Sequence, residues 1–425
     1  MRWPTRTLGQ IATITGGSTP SRTQEEYWNG SILWLTPTDL PMPGKGIADV
    51  SDTSGKITEE GLAAISAQLL PVGTVLFSSR ATIGKLGISR VPLATNQGFA
   101  NFIPKNFVDA KYLAYCLLHY TAEITALAGS TTFKEVTKTA LKKFKIPLPA
   151  LSEQRRIVEI LDQADQLRKK RAEADAKAAR ILPALFYKMF GDPATNPKGW
   201  PTKQFGDPDV ATINPRFAGK NISADTAFSF IPMADVDETW GRIVGRQVRS
   251  YSEIMRGFTP FQDGDVLFAK ITPCMQNGKA AIARNMVNGF GFGSTEFHVL
   301  RAGALCTPEW IYVLVRLPWF RKQAESNFTG TVGQQRVPTD FLSRYTTGCP
   351  PIVLQRKFSK AVVRFQEWVE QRERSMKSLE NIFSALLHRA FTGDLTAKWR
   401  EAHMKELLAE METQAKALET VGTQP

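Results

Sequence analysis

The sequence predicts an α+β fold. Two similar domains of mixed short strands and helices are joined by two long helices that form an antiparallel coiled coil, with the copies in a pseudo-twofold arrangement. Three observations carry that expectation. The chain repeats itself with a period of about two hundred residues, each copy passes through a proline-rich segment into a helix, and both helices bear apolar residues at steps of three and four. The segments expected are a first domain over 1–150, a long helix over 151–191, a second domain over 192–350, a second long helix over 351–393 and a tail over 394–425.

The duplication is legible residue by residue. Trp3-Pro4-Thr5, Leu8-Gly9 and Ala12-Thr13-Ile14 return as Trp200-Pro201-Thr202, Phe205-Gly206 and Ala211-Thr212-Ile213. Gly73-Thr74-Val75-Leu76-Phe77 returns as Gly264-Asp265-Val266-Leu267-Phe268, in each case a turn glycine feeding a short apolar strand. Gly129-Ser130-Thr131-Thr132 parallels Gly330-Thr331-Val332-Gly333. Each copy closes alike, Ile146-Pro147-Leu148-Pro149 through Gln154 answering Cys349-Pro350-Pro351 through Gln355. The helices that follow stop at Phe190-Gly191-Asp192 and Phe391-Thr392-Gly393-Asp394, where glycine permits the stop. Two paralogous globular domains with helical linkers would give the same pattern.

The first helix, with Ser152 placed as its N-cap, presents Ile157, Ile160, Ala164, Leu167, Ala174, Ala178, Ile181 and Leu185 as a seam interrupted by Arg171. The second presents Phe358, Val362, Phe365, Val369, Met376, Leu379, Phe383 and Leu386, interrupted by Arg372. Nearly forty residues at about 1.5 Å each make a rod of roughly 55–60 Å. A helix polar on its other sides must bury its one stripe, and mutual antiparallel pairing does so; packing of each helix on its own domain is the alternative. Pro183 inside the first helix predicts a kink or broken turn near Ala179. The run Arg168-Lys169-Lys170-Arg171 is open to a DNA contact or to solvent or a partner, since Asp162, Asp165, Glu173 and Asp175 flank it.

The chain of 425 residues carries 53 Lys and Arg against 40 Asp and Glu, a formal charge of +13 that suits a polyanion. Cations to hold phosphates and Arg, Lys, Asn or Gln to reach base edges are the two kinds of contact that a reader of DNA needs. The loop Ser79 to Lys85 offers both: Arg80 for guanine, Ser79 and Thr82 as short donors, Lys85 for a phosphate. Asn96 and Gln97 add amides suited to adenine, and Lys134 follows the Ser130–Thr132 turn. The second copy offers Lys270, Thr272, Gln276, Asn277 and Lys279, with Gln334, Gln335 and Arg336 after its glycine turn. Turn residues chosen for backbone geometry are the competing reading of each.

No catalytic set stands out. Cys349-Pro350-Pro351-Ile352 lacks the amide and aromatic of an adenine methyltransferase motif, and Phe290-Gly291-Phe292-Gly293 lacks the helix and acidic residue of a cofactor fold. Ile83-Gly84-Lys85-Leu86 lacks the first glycine and the hydroxyl of a P-loop. The four histidines have no metal-ligand spacing, and His298 is read as core or turn packing rather than as a general base. The scattered Cys116, Cys274, Cys306 and Cys349 form no zinc or disulfide framework and fit a reduced, cytoplasmic setting. No apolar run spans a bilayer.

The two copies and two long helices, with Ile146-Pro147-Leu148-Pro149 to Arg155-Arg156-Ile157, Phe190-Gly191-Asp192-Pro193, Ser294-Thr295-Glu296-Phe297 and Ala390-Phe391-Thr392-Gly393-Asp394-Leu395, resemble the specificity subunit of type I restriction-modification systems up to about Arg400. That resemblance implies a non-catalytic subunit whose two target recognition domains each read half of a bipartite site in double-stranded DNA. It implies a coiled-coil ruler that sets the spacing and docks two modification (methyltransferase) subunits, with a restriction/translocase subunit joining them. S-adenosylmethionine, ATP and Mg are implied on those partners and no cofactor on this chain. Ser79 to Lys85, Asn96-Gln97 and Lys270 to Lys279 fall where the family places DNA-facing segments. The rival class is a standalone DNA-modifying or DNA-cleaving enzyme with an unrecognised active site; a protein scaffold with no DNA role is a third. The tail is expected to hold a short amphipathic helix over Trp399 to Leu418.

Overall fold

The computed structural model describes residues 3–129, 134–217, 219, 221–331 and 333–422. The expected turn at Ser130–Thr132 and Val332 of the second turn lie outside the described residues. The chain divides into two compact units, one of residues 1–170 with 377–425 and one of residues 171–376.

In the first unit, β1 (Thr5–Thr7) pairs antiparallel with the segment Lys145–Pro147, so that the two ends of the head close on each other. The strands between them are β2 (Ala12–Gly16), β3 (Trp28–Leu35), β4 (Ile47–Val50), β5 (Gly55–Ile57), β6 (Val75–Ser78), β7 (Leu86–Ser89), β8 (Ala94–Thr95) and β9 (Phe99–Pro104); Lys145–Pro147 is β10. One sheet has the order β2-β9-β6-β7-β4, antiparallel except where β4 runs parallel to β7, and a smaller one has the order β5-β3-β8. Their inward faces are apolar, with Val75, Leu76, Phe77 and Phe102 fully buried.

The second unit repeats the plan. Strands β11 (Thr202–Gln204), β12 (Ala211–Ile213), β13 (Ala227–Ile231), β14 (Gln247–Ser250), β15 (Thr259–Gln262), β16 (Val266–Ala269), β17 (Ala280–Ile282), β18 (Phe290–Gly293), β19 (Phe297–Ala302) and β20 (Thr346–Gly348) form three sheets. β11 closes on β20, β12-β19-β16-β17 matches β2-β9-β6-β7, and β14-β13-β18-β15 matches the smaller sheet with one strand added. In both small sheets one pair, β3–β8 or β13–β18, is parallel.

Each head carries one helix whose start is pinned by the same device. Helix Ala110–His119 is capped by Asp109, whose carboxylate accepts from the backbone N–H groups of Lys111 and Tyr112 at 2.8 and 2.9 Å. Gln154, fully buried in the following long helix, accepts from the Asp109 N–H and donates to the carbonyls of Phe107 and Pro149. In the second unit Gln355 accepts from the N–H of Thr307, the cap of helix Pro308–Arg316, and donates to the carbonyls of Leu305 and Pro350. One amide thus satisfies three backbone groups that would otherwise be buried unpaired.

The long helices run over Leu151–Ala178 and Ile352–Thr392. Within the first unit their ends pair antiparallel: Ile157 and Leu161 share a core with Phe383, Leu387, Ala390 and Phe391, and Arg168 meets Glu380 at 2.9 Å. Within the second unit Asp175 takes both arms of Arg372, and Phe186 and Phe190 pack on Phe358 with ring centroids 5.8 and 5.1 Å apart. Val362 is fully buried, and Phe365, Met376 and Leu379 are half-buried.

The seam of the first helix differs from the expected one. The buried face runs through Ile157, Leu161, Arg168, Asp175, Ala178 and Leu182, with Ala164 and Arg171 half-buried along it, whereas Leu167, Ala174 and Ile181 point outward and Ile160 is half-buried beside it. Both series are heptads, and they share Ile157, Ala164, Arg171 and Ala178. Apolarity favours the series with Leu167; burial follows the one with Arg168 and Asp175, because Glu380 in one unit and Arg372 in the other neutralise those charges. The Arg168 guanidinium also stacks 4.2 Å from the Phe383 ring centroid and donates to the Gly44 carbonyl. The basic run therefore contributes Arg168 to the helix pair rather than to an outer surface, and Arg372 is a seam partner rather than a flaw.

The expected break near Ala179 is present. The first helix stops at Ala178 and a new one, Ile181–Phe190, begins after a gap of two residues. Pro183 is the third residue of the new helix, where a missing N–H breaks no helical hydrogen bond. The tail folds as two helices, Ala397–Ala402 and Met404–Gly422, rather than one. Glu153 binds it: this buried carboxylate accepts from Arg400 at 2.7 Å, Thr396 at 2.7 Å and the Trp3 indole N–H at 2.9 Å.

Candidate nucleic-acid interface

Strand β6 ends by delivering its chain into a tight loop. The Ser78 hydroxyl donates to the Thr82 carbonyl at 2.6 Å and accepts from the Lys85 N–H at 2.8 Å, folding the loop on itself. Gly84 has φ of +98°, and a Cβ there would lie 2.3 Å from the Thr121 methyl, so only glycine fits. Three segments distant in sequence lie side by side. Ser79 N–H donates to the Gly98 carbonyl at 2.9 Å, Val136 N–H donates to the Ser79 carbonyl at 2.9 Å, and Ala81 N–H donates to the Lys134 carbonyl at 3.1 Å. Arg80, Thr82, Asn96, Gln97 and Lys134 are thereby gathered at one edge of the first head.

Not all of the expected contact residues face outward. Ser79 is buried, and Lys85 is buried with its ammonium donating to the Pro37 carbonyl at 2.6 Å. Asn96 spends its side-chain oxygen on the Gly98 N–H at 2.9 Å, shaping the turn that displays the exposed Gln97. The Gln97 oxygen in turn accepts from Thr19. Lys134 is exposed, and Arg80 is half-exposed with its guanidinium 3.9 Å from Glu135.

The second head repeats the arrangement. Lys270 N–H donates to the Glu296 carbonyl, Val337 N–H to the Lys270 carbonyl, and Thr272 N–H to the Gln335 carbonyl, at 2.9–3.0 Å. Gln334 is exposed, and Arg336 makes a two-armed pair with Glu296 at 2.8 and 2.9 Å. That guanidinium, with Lys270 contributing, holds the Glu296 carboxyl below its ordinary value against the opposing effect of burial. Gln276 donates to Glu325 at 2.5 Å, Asn277 donates to Glu238 at 3.1 Å, and Lys279 reaches the Met233 carbonyl at 3.3 Å.

Arg316 and Arg321 were not legible as part of this loop. Arg316 donates to the carbonyls of Gly278, Glu238 and Thr239, and Arg321 donates to that of Gln276, so the two fix the backbone of the 270–279 loop from behind. Both sit on helices, and nothing in their spacing links them to a loop some forty residues earlier. His298 is a packing residue: its Nδ1 accepts from the Asn214 amide at 3.1 Å and its Nε2–H donates to the Val337 carbonyl at 2.8 Å. Burial lowers its pKa, so the neutral ring suits both bonds. No His, Cys, Asp and Glu group among the described residues could hold a metal ion, and no helix among them is long and apolar enough to cross a membrane.

Comparison with known proteins finds likenesses in sequence and in fold. Residues 2–175 match the family model of the type I restriction modification DNA specificity domain. The type I restriction enzyme MjaIX specificity subunit of Methanocaldococcus jannaschii is 26% identical over 413 residues, covering 92% of this chain and 93% of that protein. The EcoEI specificity subunit of Escherichia coli is 31% identical over 196 residues, covering 45% of this chain and 32% of that protein. A structure from a study of assembly and conformational transition of the type I R-M system superposes with a TM-score of 0.54 at 18% identity, covering 93% of this chain and 98% of its own. The type I S subunit from M. genitalium superposes with a TM-score of 0.51 at 14% identity, covering 92% and 96%; at such identities these two speak for the fold alone. A domain match on the N-terminal side and relatives sharing one description point the same way: residues 2–175 match the type I restriction modification DNA specificity domain, and over nearly its whole length the chain is similar to a specificity subunit of a type I restriction enzyme.

Proposed function

We propose that the chain reads a bipartite target in double-stranded DNA. Residues 1–150 and 192–350 act as two recognition heads, each gripping one half-site, and the helices over 151–191 and 351–393 serve as the ruler between them. The observation that carries this reading is the recurrence of one three-segment edge in both heads, bearing Arg80, Thr82, Gln97 and Lys134 in one and Lys270, Thr272, Gln334 and Arg336 in the other. Gln276, Asn277 and Lys279 flank the second edge, while Ser79, Lys85 and Asn96 shape the first. The charge of +13 supports a polyanionic partner. The outer faces of the paired helices dock two modification subunits, which bring S-adenosylmethionine, and a restriction subunit that uses ATP and Mg joins them. The complex works in the cytoplasm, on DNA and away from membranes.

Mapping methylated adenines in cells carrying the complete system tests this directly. The expected motif has two short defined halves separated by an undefined spacer, and Gln97→Ala relaxes one half only. Four residues inserted after Ala174 lengthen the rod by about 6 Å, close to two base pairs at 3.4 Å each, so the spacer grows while both halves stay the same. A continuous motif, or an altered half-site with an unchanged spacer, would overturn the reading. Turnover by the purified chain alone, given DNA, metal, ATP and S-adenosylmethionine, would favour a standalone enzyme.

A further inference from the structure

Behind the reading edge of the first head lies a cleft of about 380 Å³, walled by Gly17, Gln68, Leu70, Ala94, Thr95 and Asn101. That is near the lower end of the size of ligand sites, about 300–1,000 Å³. Asn101, on β9, is fully buried; its amide N–H donates to the Thr95 hydroxyl at 2.8 Å, but its side-chain oxygen has no partner. The buried hydroxyl of Thr15, directly opposite on β2, has none either. Leaving such groups unpaired costs stability.

The fold does not demand that cost. Asn101 lies opposite Leu76 of β6, and the residue lying opposite the equivalent Leu267 of β16 is Val299, packed in an apolar cluster. The same position is thus filled by a valine in one head and by a half-satisfied asparagine in the other. The cleft also adjoins the reading edge. Gly17 packs so closely on the segment before Gln97 that a Cβ would lie 2.1 Å from the Asn96 carbonyl oxygen, and Thr19 donates to Gln97 itself. An acceptor beside a hydroxyl complements an edge on which an amino group stands next to a ring acceptor, as N6 stands next to N7 in adenine, while Leu70 and Ala94 supply an apolar wall for the ring.

We propose that this cleft binds the edge of an amino-bearing nucleobase, adenine or cytosine, taken either as an unstacked base of the DNA read by the first head or as a free base. The DNA source rests on the reading role proposed above; the free-base source does not. Two measurements on the full chain separate them. Ligand-detected NMR with 9-methyladenine and 1-methylcytosine, and with 9-methylpurine as the base that keeps the ring acceptors but lacks the amino group, tests the free source. Imino-proton NMR of a bound duplex carrying the mapped target tests the other, because an extruded adenine or cytosine leaves the imino proton of its thymine or guanine partner open to exchange.

The expected result is a signal from 9-methyladenine or 1-methylcytosine but not 9-methylpurine, or an imino resonance lost in one half-site, and in either case about a tenfold weaker effect in Asn101→Val, which installs the second head's residue. Thr15→Val is the second variant should the first melt early. A duplex bound with every imino resonance intact and no free base bound overturns this inference and leaves the reading role standing. A signal that survives both variants overturns the assignment of the cleft. No duplex bound at all overturns the reading role.

Discussion

The two heads share β2-β9-β6-β7 and β12-β19-β16-β17, a closing strand pair and a glutamine that pins a helix start, yet they differ at their peripheries. The first adds β4 to its main sheet, and the second adds β15 to its small one. The residue before the pinning glutamine is Glu153 in the first, buried among Arg400, Thr396 and Trp3, and a half-buried Leu354 in the second. Trp200, the counterpart of Trp3, donates instead to the Phe190 carbonyl at 2.8 Å. The shared parts satisfy backbone groups, while the differing parts touch loops and chain ends. A frame that settles its own hydrogen bonds leaves the edges above it free to vary, which is what the proposed reading of two different half-sites would require.

The largest test of this contrast is Glu153→Leu, which copies the second unit's residue into the first. Arg400 is about nine-tenths buried and would lose its counter-charge. Breaking a buried pair from one side costs about 3–5 kcal/mol. Calorimetry is expected to show the transition of the first unit falling while that of the second stays put. Equal shifts in both would mean that the two units do not melt separately.

Gln154→Leu and Gln355→Leu probe the shared part. Each leaves buried backbone groups unpaired, at about 1–3 kcal/mol for each such group. Because the bonding patterns are the same, the two losses should agree closely; a loss in one unit less than half that in the other would break the equivalence of the two frames.

His298 supplies a pH signature of the second unit with no counterpart at the same position in the first, where the register places Ala100; the first unit has its own acid-sensitive ring in His119, whose pKa burial also lowers. Burial lowers the folded pKa of His298 below the unfolded value, so below about pH 6.5 the unfolded state takes up more protons and stability falls as the pH drops. The contribution is fully present above that pH and is lost towards the folded pKa. His298→Gln should flatten this part of the melting profile of the second unit. An unchanged slope would assign the acid sensitivity elsewhere.

Much of this was legible in one dimension. The repeat, the helix stops before Gly191 and Gly393, the break before Pro183 and the loops after β6 and β16 follow from local rules about glycine, proline and apolar spacing; the expected N-cap Ser152 instead lies inside a helix that begins at Leu151. What stayed hidden depends on partners far along the chain. Lys85 reads as a phosphate ligand until the Pro37 carbonyl is placed over it. Asn101 reads as nothing until its neighbours on two strands are known, and Arg316 and Arg321 act on a loop that no spacing ties to them.

The seam of the first long helix is the sharpest instance, and it gives the smallest predicted effect. Two heptads fit the residues, and apolarity alone selects Leu167 over Arg168. The choice was made by Glu380, more than two hundred residues away, whose carboxylate lets the Arg168 guanidinium lie buried over Phe383. Leu167, 56% exposed, should therefore accept lysine with a change within about 0.5 kcal/mol. Leu161→Ala, four residues after Ile157 on the buried face, should cost the 2–5 kcal/mol typical of a core leucine, about. Measured in denaturant on the full chain, that asymmetry decides between the two seams. A Leu167→Lys loss comparable to that of Leu161→Ala would restore the apolar heptad and turn Arg168 back to the surface, where its flanking Lys169 and Lys170 would make it a cation for DNA or a partner.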